Sequence, residues 1–250
     1  MSNPPPAASR EANVDPHAPM NPSALTASAS AASASAEGAS GNGGSSGTED
    51  GGQDAPERVI LENQAIRRAL MRMAHEIVES ADGIDRLFLV AIPNGGVPLA
   101  RILADNLESL TNVRVPLGIL DTTLYRDDLS TRGARPQLRR TEMPSSVDDR
   151  VVVLVEDVVN TGRTIRAAMD ALMDFGRPSH VRVVALVDRG HRELPIKIDY
   201  VGKNIPTQPK DKVVFRAEEL PEDADGVAAV GELTIAVRPS IEAGTAGGAQ

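Results

Sequence analysis

Glu156 and Asp157 stand side by side behind an apolar, mostly β-branched run, Val151 to Val155, and just ahead of Asn160-Thr161-Gly162-Arg163-Thr164. Two adjacent carboxylates suit the cis hydroxyls of a ribose, either directly or through Mg²⁺. Threonine hydroxyls and the amides around a glycine suit a phosphate. The first turn of a helix leaves N–H groups unpaired and carries partial positive charge, so a loop opening a helix can hold an anion. An acid pair beside such a cradle predicts a phosphorylated sugar as ligand.

The elements that position these residues follow from the pattern around them. Val151–Val155 reads as a buried strand of a parallel sheet closed by the acid pair, and the residues after the polar loop read as an amphipathic helix. Carboxyl ends of parallel strands are where open α/β sheets bind ligands. Leu87–Ile92 is a second buried strand and runs into Pro93-Asn94-Gly95-Gly96-Val97-Pro98 before a helix from Leu99 to Leu110. The paired glycines there suit either a tight turn or a backbone that presents N–H groups to an anion. Val113–Leu120 and Val181–Val187 make further strands, and Asp188-Arg189-Gly190-His191 sits at the carboxyl end of the latter. His191 invites a general-base role, although a lone loop histidine is more often structural. Glu62–Ser80 is a helix with Ile66, Leu70, Met73 and Ile77 on one face and Arg68, Arg72, His75 and Glu79 on the other. That polar stripe reads as a solvated surface or as an RNA contact. The repeated strand-then-helix order predicts an α/β fold, a parallel sheet with helices on both faces. A small hood is expected from residues 125–150 and 190–216, and the charged stretch after Tyr125-Arg126 reads as a lid, a hairpin or a disordered insert, of which a sugar-transfer function would favour the lid.

Composition sets the bounds. Residues 1–56 are mostly Ala, Ser, Gly, Pro and Asn and predict a disordered low-complexity extension without the features of a secretory signal. Residues 57–230 suffice for one compact α/β domain, and 231–250, rich in Ala and Gly, read as a flexible tail. The absence of cysteine excludes disulfides, thiolate metal sites and cysteine nucleophiles and fits a cytoplasmic protein. No apolar run is long enough to span a bilayer. A net charge of −9 argues against indiscriminate nucleic-acid binding and leaves a local basic face open.

Five blocks in register carry a resemblance: AIRRALMRMAHEI from Ala65, TLYRDDLST from Thr123, VLVEDVVNTGRT from Val153, TGRTIRAAMDALMDFGRP from Thr161 and LVDRGHRELPIKIDYVGKNIPT from Leu186. Together they resemble the type I phosphoribosyltransferases and, over Leu61 to about Val230, the PyrR family of pyrimidine operon regulators within them. The resemblance implies transfer of the phosphoribosyl group of phosphoribosyl pyrophosphate (PRPP) to uracil, giving UMP and pyrophosphate, with Mg²⁺ as cofactor. It also implies binding of the pyrimidine operon mRNA leader, and a homo-oligomer. On it, Glu156 and Asp157 are the catalytic acids, holding the ribose hydroxyls and stabilising positive charge on the sugar. Val158, Val159, Asn160, Thr161, Gly162, Arg163 and Thr164 form the PRPP loop. Asn94, Gly95 and Gly96 form the pyrophosphate loop, with Arg126 directed at the same leaving group. Asp188 and Arg189 belong to the base and hood side, and Arg68, Arg72 and His75 to the RNA face.

The chain departs from the family pattern at four places. Asn94-Gly95-Gly96 replaces Thr-Arg-Gly, Glu156-Asp157 replaces Asp-Asp, Asn160 replaces a tyrosine and Met71 replaces a threonine. The changes in the pyrophosphate loop and at Asn160 keep open a nucleotide-sensing, RNA-binding regulator with little or no catalysis. A purine phosphoribosyltransferase is a further alternative, because the PRPP loop is common to both classes. An unrelated doubly wound domain would account for none of the flanking blocks.

Overall fold

The computed structural model describes residues 56–81, 83–93, 95–127, 140–222 and 228–240. The lid expected after Arg126 falls largely outside them, as do Asn94, the N-terminal extension and the last ten residues. In chain order the elements are β1 (Arg58–Glu62), α1 (Asn63–Ser80), β2 (Leu87–Ala91), α2 (Gly96–Thr111), β3 (Leu117–Ile119), β4 (Val151–Val159), α3 (Arg163–Leu172), β5 (His180–Asp188), β6 (Tyr200–Asn204), β7 (Lys212–Glu222) and β8 (Ala228–Arg238). Five strands form one parallel sheet in the order β3-β2-β4-β5-β6. The other three form an antiparallel sheet in the order β1-β8-β7.

The apolar runs become the centre of the parallel sheet. All five residues of β2 are buried, as are Val151–Val155 of β4. Successive side chains of a strand face opposite ways, so Val151, Val153 and Val155 pack with α1 and α2 while Val152 and Leu154 pack with α3. Helices on both faces and a parallel sheet are the α/β architecture expected. The chain leaves β2 toward β3 on one side, then returns to β4 and continues to β5 and β6 on the other. The strand order therefore reverses between β2 and β4, and a crevice at the carboxyl ends of those two strands is where such sheets take ligands.

Several boundaries differ from the sequence reading, each for a local reason. Helix α2 starts at Gly96 instead of Leu99, because Pro98 lies in the first turn, where its missing N–H is not needed. Strand β3 begins at Leu117 instead of Val113; Pro116 just before it has no N–H to offer a ladder, and the Val113 amide turns to the Thr111 hydroxyl. Strand β4 continues through the acid pair to Val159, since β5 extends the ladder as far as Val159 opposite Asp188. The segment assigned to a hood over 190–216 divides: Tyr200–Asn204 is the fifth parallel strand, and Lys212–Arg216 belongs to the antiparallel sheet.

The expected flexible tail from residue 231 is also corrected. Strand β8 is the central strand of the antiparallel sheet, and its Leu233, Ile235, Ala236 and Val237 are buried. Leu233, Ile235 and Val237 carry the period-two pattern of a half-buried strand within a composition dominated by small residues. Arg67 of α1 ties this strand to the first helix by donating to the carbonyls of Val230 and Gly231. Ile235→Ala should therefore destabilise the chain by about 2–5 kcal/mol in denaturant unfolding. A segment without a packing role would leave the midpoint unchanged.

Candidate functional site

The two strands at the reversal point approach each other through glycine. A Cβ placed on Gly95 would overlap the carboxylate of Asp157, and one on Gly96 would overlap the carbonyl oxygen of Val155. The start of α2 thus lies directly on the end of β4, as close as backbone permits. Gly95 therefore rests on Asp157 and does not face the acid pair across a cleft. The Gly96 amide donates to the Ile92 carbonyl at 3.1 Å, so it is engaged within the turn.

The cavity opens on the other side of β4. It has a volume of about 340 Å³ and is lined by Arg126, Glu156, Val158 through Ile165, and Glu193. It brings together the whole expected sugar-phosphate loop, Val158, Val159, Asn160, Thr161, Gly162, Arg163 and Thr164, with one of the two acids. Gly162 takes the left-handed conformation, φ 93°, that turns the chain from strand into helix, and a Cβ there would press on Ile196. Helix α3 begins at the next residue. The acid pair divides: Glu156 lines the cavity, whereas Asp157 faces Gly95 and accepts the amide of Val158 at 2.8 Å.

Arginines frame this cavity in distinct ways. Arg126 donates to the Thr164 hydroxyl at 2.6 Å and faces Glu156, which sets it at the loop before α3, on the far side of β4 from Gly95. The Arg163 side chain is paired with Asp127 at 2.6 Å and Glu193 at 2.9 Å. Arg189 is buried and donates to Thr207 Oγ1 and to the Gln208 carbonyl, while Asp188 accepts from Arg192 and from the Gly190 amide. Arg189 and Asp188 therefore brace neighbouring loops and neither lines the cavity. His191, in the left-handed region at φ 59°, is bonded through Nε2 to the Thr207 carbonyl at 2.8 Å, which makes that nitrogen the donor. On α1, Arg68, Arg72 and His75 are all exposed on one face. Arg72 is anchored there by Glu76 and by the carbonyls of Val201 and Gly202. The role of Arg192 and Glu193 was not legible beforehand; their only signal was membership of a block with family resemblance.

The electrostatics of Glu156 are those of a group made for a partner. Its Oε2 is buried without a hydrogen bond, as is Oδ1 of Asn160. Burial, and then the Asp157 charge beside it, push the Glu156 carboxyl well above its ordinary value, while Arg126 pulls it back. Burial also raises Asp157, against the pull of backbone amides. These oxygens suit a hydroxyl or a hard cation. Among the described residues no three acidic or histidine side chains form a metal cluster, so a divalent ion here would draw its remaining oxygens from the ligand.

A carboxyl whose folded pKa lies above its unfolded value holds more protons folded than unfolded between the two. Stability then falls as pH rises through that window. For Glu156 the window extends upward from the ordinary value, 4.5. The ligand-free Glu156→Gln variant should lose less stability than the wild type as pH is raised across it, read as melting temperature against pH. Parallel profiles would show that Glu156 ionises without penalty.

Comparison with known proteins agrees with this geometry. A model of the phosphoribosyl transferase domain matches residues 58–222. The bifunctional protein PyrR of Roseiflexus sp. (strain RS-1) is 52% identical over 171 residues, which covers 68% of this chain and 93% of that protein. The PyrR protein of Pelotomaculum thermopropionicum is 53% identical over 161 residues, 64% of this chain and 89% of the relative. Among solved structures, a hypoxanthine-guanine phosphoribosyltransferase from Bacillus anthracis aligns over 62% of this chain and 86% of its own with a TM-score of 0.51 at 18% identity. A hypoxanthine phosphoribosyltransferase from Trypanosoma cruzi aligns over 63% and 84% with a TM-score of 0.52 at 24% identity. At those identities the structural likeness bears on fold alone, and it is the same fold. With a cavity at the carboxyl end of β4, a threonine-glycine loop opening α3 and close relatives along nearly their whole length, the chain belongs to the phosphoribosyltransferase family and, within it, to the bifunctional PyrR proteins.

Proposed function

We propose that this phosphoribosyltransferase uses PRPP and uracil, forming UMP and pyrophosphate, and that it also binds the pyrimidine operon mRNA leader. The observation that carries the catalytic reading is the buried, unpaired Oε2 of Glu156 lining one cavity with the loop Val158–Thr164. In the reaction the bond from the anomeric carbon to the pyrophosphate oxygen breaks as a bond to uracil nitrogen forms. Positive charge builds on the sugar between these events. Glu156 stabilises that charge from a fixed, water-poor position, where preorganised electrostatics is worth most. Its carboxylate and the amide side chain of Asn160 accept ribose hydroxyls. The amides of residues 161–164 and the start of α3 hold the 5′-phosphate. Asp157 supports the site from behind, packed on Gly95. Mg²⁺ fits the oxygen-rich donor set and would be held by Glu156 together with the ligand's own oxygens, supplying charge neutralisation for the leaving pyrophosphate. Arg126 adds a cation on the same side of β4.

A second reading has its own support. The segment Pro93 to Pro98 contains no cationic side chain, and the Gly96 amide is engaged with Ile92. The leaving group therefore meets no side-chain cation from that segment and loses the Gly96 amide, as suits a protein that senses UMP or PRPP more than it turns them over. The regulatory role rests on the exposed face of α1, where Arg68, Arg72 and His75 could meet RNA phosphates. A homo-oligomer acting in the cytoplasm completes the proposal.

Uracil-dependent release of pyrophosphate from PRPP tests the enzyme reading, with hypoxanthine and guanine as competitors. Glu156→Gln should lower kcat by about a hundredfold or more, the scale for removing one preorganised electrostatic contact. UMP binding without turnover in the wild type would decide for the sensor. For RNA, Arg68→Glu should weaken binding of the pyrimidine leader and reduce the salt dependence of that affinity by about one unit of slope. Unchanged affinity and slope would remove α1 from the interface.

A further inference from the structure

One side chain ties the outer surface of the phosphate loop together. The Arg192 guanidinium donates to the Asn160 carbonyl at 2.6 Å, the Gly190 carbonyl at 3.3 Å, the Ile196 carbonyl at 3.2 Å and the Asp188 carboxylate at 2.9 Å. The amides of Glu193 and Leu194 both donate to the Thr161 carbonyl, at 3.0 and 3.2 Å. Two successive carbonyls of the loop, Asn160 and Thr161, are thus held from one side by residues 192–194. A peptide unit is planar and trans, so its N–H points opposite to its C=O. The Asn160 carbonyl shares its plane with the Thr161 amide, and the Thr161 carbonyl with the Gly162 amide. Fixing those carbonyls toward residues 192–194 turns the Thr161 and Gly162 amides the other way, toward the cavity their residues line.

Residues 188–196 are themselves well anchored, so they can act as a rigid brace. Arg189 and His191 bind the 207–209 segment, and Ile196 lies against Gly162. The Arg192–Asp188 pair is only 23% and 21% exposed, so the guanidinium is oriented by a half-buried carboxylate. A planar fork with five donors can serve three carbonyls and a carboxylate together; an ammonium on a flexible stem cannot hold that geometry.

We infer that Arg192 is a positioning residue for the phosphate end of the ligand, setting the peptide planes of the loop without touching the ligand itself. This rests on the reading of that loop as the 5′-phosphate cradle. UMP and uridine differ only in that phosphate, so the ratio of their affinities isolates the cradle, and it is read by titration of the full chain without turnover.

In Arg192→Ala the preference for UMP over uridine should shrink about ten- to a hundredfold, the scale of a hydrogen-bonded anion site losing its alignment, with uridine affinity held within about twofold. Arg192→Lys should recover part of the preference, and it carries the test should the alanine variant fail to fold. Glu156→Gln should instead weaken UMP and uridine alike and leave their ratio in place. The inference is overturned if both Arg192 variants keep the wild-type ratio, or if uridine affinity falls in step with UMP. A wild type that does not prefer UMP to uridine overturns the phosphate assignment itself, and with it the proposed function.

Discussion

A carboxylate buried at the end of an apolar strand is the constraint around which this site is arranged. Removing an ionised group from water is costly unless something compensates it. Here compensation within the chain is incomplete, since Glu156 Oε2 has no hydrogen bond and Asp157 next to it adds repulsion. What keeps the carboxyl in place is the rigidity of its host. Strand β4 is laddered to β2 as far as Val155 and to β5 as far as Val159, so the backbone at Glu156 cannot swing outward to solvate the side chain. The site stores an unmet demand for positive charge or hydroxyl donors.

Backbone contact explains how the same strand end serves two faces. On an extended strand neighbouring side chains point apart, so adjacent acids cannot both line one cavity. Glu156 takes the α3 side with the phosphate loop, and Asp157 takes the α2 side against Gly95. The glycines at the start of α2 are therefore best understood as clearance: they let a helix end and a carboxylate occupy adjoining space. Asp157 in turn accepts the Val158 amide, so it shapes the first residue of the loop that Glu156 precedes.

The architecture was legible because its signals are strong and local. Unbroken apolar runs at Leu87 and Val151, the three-to-four-residue spacing of Ile66, Leu70, Met73 and Ile77, and a glycine-threonine loop behind an acid pair each have one natural reading. The antiparallel sheet was not legible. Its central strand is built from Ala, Gly and Thr among a few branched residues, and its partner β1 lies at the far end of the domain sequence, so pairing depends on contacts that no window reveals. Nor could spacing tell that Arg189, adjacent to a promising aspartate, turns into the protein while Arg192 reaches back to the phosphate loop. Arginine's length makes its direction a property of tertiary packing.

The division of labour among the arginines bears on how the site meets a highly charged ligand. Arg163 is neutralised by Asp127 and Glu193, Arg189 serves the 207–209 segment, and Arg192 serves loop carbonyls. Three guanidinium groups near the loop thus act on the protein, and what the loop offers a ligand is its amides and a helix terminus. Fixed dipoles of that kind need no rearrangement as charge shifts during reaction, whereas long cationic side chains must first be ordered. The sequence from Pro93 to Pro98 has no cationic side chain, whereas Arg126 shares the cavity with Glu156. The cavity thus combines fixed backbone dipoles at the start of α3 with a cation held in place by its bond to Thr164.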